Sequence, residues 1–333
     1  MARIVVLSRA GQDSLPAAAV KALQVQHDVR FVQCTFAPGA DEAAELLADA
    51  DVLASTNVTL PVLDAALLER LPRLRQVVLY ATGYEHLDLS ALTAAGVTVT
   101  TLPEYATNAV AEHALGLIFA SATRVHLAND KARGRTPYEV SLRGVEVTKR
   151  TLAIVGTGRI GRRLAELARG LGMRVVGVDI DPAAAAAAAG EGIVMMSKDA
   201  ALREADLVAI CASTIAGTYP ILAADDLAVL HPDVFVVNVG RPVLVDQDDV
   251  RTALLERALR GYAVDEIAFD PSQPLDALLL EEGRVLQTAH SAWWRDEVLA
   301  RGAQMFATAI QSAADGAPID VVAARHPSLV AAS

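Results

Sequence analysis

The stretch Thr151–Asp181, TLAIVGTGRIGRRLAELARGLGMRVVGVDID, decides the fold. An apolar run at Thr151–Val155 leads into Gly156, Gly158 and Gly161 in GxGxxG spacing, and a helix-period stretch of Leu, Ala and Arg follows. That order is strand, tight turn, helix. Gly156 permits the turn, Gly158 lets the backbone approach a pyrophosphate, and Gly161 allows close packing of helix on strand; the helix N-terminus adds N–H donors and partial positive charge. The next strand-like run ends at Asp179, where a carboxylate accepts both hydroxyls of a ribose and repels a 2′-phosphate. The segment predicts a βαβ unit that takes NAD rather than NADP.

On both sides of this unit, strand-length apolar runs alternate with helix-period stretches, the mark of parallel α/β sheets. One set has strands at Arg3–Ser8, Val29–Gln33, Val52–Ser55, Gln76–Tyr80 and Val97–Thr100, with helices at Pro16–Gln26, Asp41–Ala50 and Pro61–Arg70. The other continues from Thr151–Val155 through Arg174–Val178, Leu207–Ile210, Val234–Val239, Gly261–Val264 and Arg284–Gln287. Ala183–Ala189, opened by Pro182 and closed by Gly190, reads as a short surface helix. A long helix over Ala109–Arg133 carries an apolar face of Val110, Ala114, Leu117 and Ile118 that needs a large surface to cover it, from another domain or another subunit. A closing helix over Trp293–Ala314 follows no strand of its own and is expected to return to the first set.

The 333 residues exceed what one core organises, so two domains with a cleft are expected. No apolar run approaches the ~20 residues that span a bilayer, and MARIVVLSRAG lacks the features of a leader, so a cytoplasmic location is expected. Twenty-nine basic against 40 acidic residues give a net charge of −11, which repels a phosphate backbone and removes nucleic-acid binding. Cys34 and Cys211 sit far apart in apolar runs and read as buried thiols rather than a disulfide. No histidine has metal-ligand spacing with a cysteine or carboxylate, so no metal is expected. His113, within AEHALG, reads as a packed or capping residue.

Three charged residues follow successive strands of the second set: Arg241, Asp270 and His290. The carboxyl ends of parallel strands open onto the ligand crevice, so these loops and the glycine turn share one edge of the sheet. Reducing a ketone with NADH needs a proton donor, a cation for a carboxylate and carbonyl, and a group that holds the donor in place. Taken singly, each residue has a plainer reading: a strand-end arginine, an Asp–Pro turn former, a satisfied interior histidine. Their coincidence behind the nucleotide turn favours the chemical one.

The whole chain resembles the D-isomer-specific 2-hydroxyacid dehydrogenases, and among them the C-terminal-binding protein branch. The resemblance rests on ATGYEHLDL (Ala81–Leu89), NAVAEHALGL (Asn108–Leu117), GTGRIG with Asp179, and VNVGRPVLVDQ through GYAVDEIAFDP to TAHSAWW. It implies that Arg241 binds the substrate carboxylate and carbonyl, that His290 is the general acid and base, and that Asp270 orients the imidazole and favours its charged form. It also implies cofactor contacts at Thr82, Gly156, Gly158, Arg159, Ile160, Gly161, Asp179, Ala212, Ser213, Thr218, Val239, Gly240 and Asp265. Ala81, Thr82 and Gly83 would meet the substrate. Trp293, three residues beyond His290, reads by itself as a wall of the substrate pocket or as a domain-packing indole. The chain departs from the family's pattern at Asp270, where glutamate is usual, at Ala289 (proline) and at Pro242 (glycine).

The same resemblance implies a flavodoxin-like substrate domain, residues 1–101 completed by 292–333, and an inserted Rossmann domain, residues 102–291. It implies a homodimer through the helix after Asn108. The expected reaction is hydride transfer between NAD(H) and a small 2-keto or 2-hydroxy acid. Two other readings remain open at this point: an NADH-responsive scaffold of the C-terminal-binding protein kind, and a dehydrogenase of the same fold acting on a phosphonate.

Overall fold

A parallel strand covered on both faces needs an apolar, β-branched run without alternation, and every run of that kind named above is a strand. The computed structural model describes residues 1–135, 139–214 and 219–322. The chain divides into two compact units, Met1–Ala106 with Arg295–Ser333, and Thr107–Trp294. Among the described residues, no helix is long and apolar enough to cross a membrane.

The first unit is built on β1 (Arg3–Ser8), β2 (Asp28–Gln33), β3 (Val52–Thr56), β4 (Gln76–Tyr80) and β5 (Thr98–Thr100). All pair in parallel, in the order β2-β1-β3-β4-β5, one of the common doubly wound orders. The closing helix, Asp296–Ala314, packs on β4 and β3 of this unit. Tyr80 is its anchor, edge-on to both Tyr105 and Phe306 with centroids 5.4 and 5.2 Å away. Gly302 is required there, since a Cβ would overlap the Tyr80 ring. Arg301 fastens the helix further by donating to the Tyr105 carbonyl at 2.8 and 2.6 Å. The helix starts at Asp296 rather than Trp293, because the backbone of Arg295 is still extended.

The second unit contains β6 (Thr151–Val155), β7 (Arg174–Val178), β8 (Val194–Met195), β9 (Leu207–Ile210), β10 (Phe235–Asn238), β11 (Gly261–Val264) and β12 (Val285–Gln287). Their order is β12-β11-β10-β9-β6-β7-β8, all parallel, with the reversal between β6 and β9. Side chains alternate between the two faces. Ala153 and Val155 of β6 enter one buried cluster with Val208, Val236 and Phe269, while Leu152 and Ile154 enter the other with Leu164, Ala209 and Val237. Strand β8, two residues long, gave no signal in the sequence.

Ala109–Arg133 is not one helix. It forms Thr107–Thr123 and Val125–Ala132, separated at Arg124, whose φ of 56° is left-handed. The break lets the Arg124 guanidinium donate to the Glu282 carbonyl. The first of the two helices packs on Arg159–Gly170, β10 and β11 of its own unit. Ala114, Leu117 and Ile118 are buried there, so this apolar face is covered without a second subunit.

Candidate active site

The turn after β6 has the geometry its glycines predict. Gly156 has φ 93°, and a Cβ on it would press on the backbone of Ala212; a Cβ on Gly161 would press on the carbonyl oxygen of Gly156. A Cβ on Gly158, by contrast, would meet nothing within 4 Å. Open space therefore faces the N-terminus of the Arg159–Gly170 helix, where Gly158 is the cap, and a pyrophosphate fits it. Asp179 Oδ2 accepts from the Thr157 N–H at 2.6 Å and its hydroxyl at 3.2 Å, and Oδ1 accepts from the Asp181 N–H at 2.9 Å. The carboxylate is thus fixed at the carboxyl end of β7, where a ribose would meet it.

The other expected cofactor contacts fall at the same edge of this unit. Arg159 and Ile160 open the helix, Ala212 and Ser213 follow β9, and Val239 and Gly240 follow β10. Thr218 lies outside the described residues. Ala81, Thr82 and Gly83 follow β4 in the first unit, where the Thr82 hydroxyl donates to the Leu102 carbonyl at 3.0 Å.

Arg241 sits on a turn that Asn238 holds at both ends. The Asn238 side chain accepts from the Gly240 N–H at 3.0 Å and donates to the Arg241 carbonyl at 2.8 Å. Its amide also donates to the hydroxyl of the buried Tyr262 at 3.3 Å. Pro242, in place of a glycine, begins a short 3-10 turn over Pro242–Leu244. A proline is at home in the first position of such a turn, where an N–H would have no partner.

His290 follows β12 with φ 51°, a left-handed conformation that non-glycine residues seldom adopt. The loop carrying it is held from below by Asp265, a buried carboxylate. Asp265 accepts from the Thr288 hydroxyl at 2.6 Å and from the N–H groups of Ser291 and Ala292 at 2.9 Å each. His113 Nε2 lies 3.0 Å from the Thr288 oxygen and 3.5 Å from Asp265 Oδ1, tying the Thr107–Thr123 helix to the same loop. Asp265 was expected to touch cofactor, yet its carboxylate is engaged by this loop. The indole of Trp293, next in the loop, stands edge-on to Trp294 at 4.9 Å.

The expected Asp270–His290 contact is not there. His290 Nδ1 lies 2.9 Å from Glu266 Oε1 instead. The Asp270 carboxylate accepts from the Ser272 N–H at 2.8 Å, and that bond holds its pKa below the usual carboxylate range. Its backbone N–H donates to Asp276 at 2.9 Å, and Asp276 is paired with Arg251 at 2.6 Å, which lowers the Asp276 pKa in turn. Asp270 is therefore the Asp–Pro turn former, an Asx turn. Asn238 and Glu266 escaped the sequence reading, which had given His113 only a packing or capping role. The signal available for Glu266 was its place directly after β11, at the carboxyl edge where ligands bind.

The chain resembles known proteins over most of its length. The family described as D-isomer specific 2-hydroxyacid dehydrogenase, NAD binding domain, matches residues 115–292. The chain is 34% identical over 268 residues to a glyoxylate reductase of Korarchaeum cryptofilum, covering 79% of each. It is 31% identical over 280 residues to the D-3-phosphoglycerate dehydrogenase of Mycobacterium tuberculosis, covering 84% of this chain and 51% of that one. The chain thus spans about half the length of the phosphoglycerate dehydrogenases it matches. A glyoxylate reductase structure from Paecilomyes thermophila shares the fold, with a TM-score of 0.83 at 22% identity, over 98% of this chain and all of that one. Nothing in these matches singles out the C-terminal-binding protein branch. With its glycine turn, Asp179 and doubly wound order inside the matched span, the chain belongs to the D-isomer specific 2-hydroxyacid dehydrogenase family and carries that family's NAD-binding domain.

Proposed function

We propose that the protein interconverts a small 2-keto acid and its 2-hydroxy acid with NAD(H). The observation that carries this reading is the His290 loop: an imidazole held in strained backbone by Asp265, on the same sheet edge as Arg241 and the nucleotide turn. Nicotinamide, when bound, gives or takes the hydride. Gly158 and the helix behind it receive the pyrophosphate, and Asp179 receives the adenosine ribose. Arg241 pairs its planar fork with the substrate carboxylate and lies ready to polarise the carbonyl. His290, bonded through Nδ1, keeps Nε2 for the proton that the substrate oxygen gains on reduction and loses on oxidation.

The reading also has the protein act in the cytoplasm as a homodimer. Because the apolar face of Thr107–Thr123 is already covered, that helix would join a dimer through the exposed Asn108, Glu112 and Gly116; sedimentation of a Glu112→Arg variant checks this contribution.

The test of function is NADH oxidation with glyoxylate and a panel of larger keto acids and their phosphonate analogues. Turnover of at least one keto acid is expected. NADH binding without turnover of any member would remove the enzymatic reading and favour the scaffold. Asp179→Ala should weaken NADH binding and narrow its lead over NADPH, measured by titrating both. A wild-type preference for NADPH would contradict the role given to Asp179.

A further inference from the structure

We infer that Glu266, not the residue at 270, is the carboxylate that positions His290, so that this chain holds its acid–base imidazole from a site four residues nearer the end of β11. The inference rests on the proposed role of His290 and adds the group that orients it. The geometry is one-sided: Glu266 Oε1 is 2.9 Å from His290 Nδ1, while Asp270 closes its own turn on Ser272. That turn is anchored through the Asp270 N–H to Asp276 and on to Arg251, and swinging the Asp270 carboxylate toward the imidazole would give up its bond from the Ser272 N–H.

The register at the end of β11 explains how Glu266 comes to the ring. Successive residues leaving a strand point to opposite sides. Asp265 turns beneath the His290 loop and takes its backbone, and Glu266 takes the imidazole. The two neighbours therefore fix the loop and the ring separately. As a carboxylate Glu266 can only accept, so it fixes the neutral imidazole with its proton on Nδ1 and leaves the Nε2 lone pair for substrate.

The exposure of the pair argues for orientation rather than folding. The side chains of His290 and Glu266 are 50% and 27% exposed, and ion pairs so open to water add little to stability. Glu266→Ala should therefore melt close to wild type and bind NADH as well, yet lose about 10²-fold in kcat for glyoxylate, within the range for misplacing an acid–base group. Glu266→Asp, which keeps the charge but pulls it back by one methylene, should recover part of that loss. Asp270→Asn, which preserves the Asx turn, should stay within about twofold of wild type.

Nitrogen-15 spectra of the histidine rings supply a readout that a structural role would not move. The Nδ1–H form of neutral His290 should persist in Asp270→Asn and disappear in Glu266→Ala. Full kcat in Glu266→Ala, or a loss of kcat and of the Nδ1–H form in Asp270→Asn, would overturn the assignment while leaving the proposed function standing. Undiminished turnover in His290→Ala would instead remove the proposed function itself.

Discussion

Replacing His290 by alanine is expected to slow keto-acid reduction about 10²–10⁴-fold while NADH affinity stays near wild type, because a positioned acid contributes in that range. The imidazole follows β12 and is bonded to Glu266, so removing it touches neither the glycine turn nor Asp179. Arg241→Ala should show the same split between turnover and cofactor binding, with a raised KM, since the role proposed for its guanidinium is on substrate rather than on adenosine. The turn beneath Arg241 is held by Asn238 through backbone groups and should survive the truncation. Stopped-flow reduction and NADH titration measure the two quantities apart. Equal keto-acid reduction in either variant would mean that the residue has no chemical role.

Gly156→Ala should be severely damaging. At φ 93° an L-residue is strained, and the added Cβ would lie 2.6 Å from Ala212 Cα and 2.8 Å from the Cys211 carbonyl carbon. Both neighbours are backbone at the end of β9 and cannot rotate away. Strain of about 1–3 kcal/mol joins overpacking of about 1–3 kcal/mol, a large share of an ordinary domain's stability. Thermal melting should fall by many degrees and NADH binding should vanish. Gly158→Ala separates the two effects, because its Cβ enters open space: it should melt like wild type and still bind NADH poorly. A Gly156→Ala protein with wild-type melting would refute the contact with β9.

The strands were legible because fully buried parallel strands are written as unbroken apolar runs, and β1, β4, β6, β7, β9 and β11 begin and end where those runs do. The nucleotide turn was legible because its glycines answer to local backbone geometry, which a short window of sequence contains. What failed was set by longer-range choices. The helical period runs straight through Arg124, and only the reach of its guanidinium to Glu282 shows why the helix breaks there. The face of Ala114, Leu117 and Ile118 announces that it needs a cover without saying whose. Asp270 and Glu266 are both carboxylates near the end of β11, and spacing favours the first. Which one meets His290 depends on the direction each side chain takes on leaving the strand and on Ser272 capturing Asp270, neither of which periodicity records.

The left-handed backbone of His290 has a consequence for how this position can change over generations. Glycine occupies such a conformation without cost and histidine does so at about 1–2 kcal/mol, so the locally favoured occupant is the one residue type with no side chain at all. A library varied at this codon and screened for heat tolerance would drift toward glycine, and the same library screened for the proposed keto-acid turnover would return histidine.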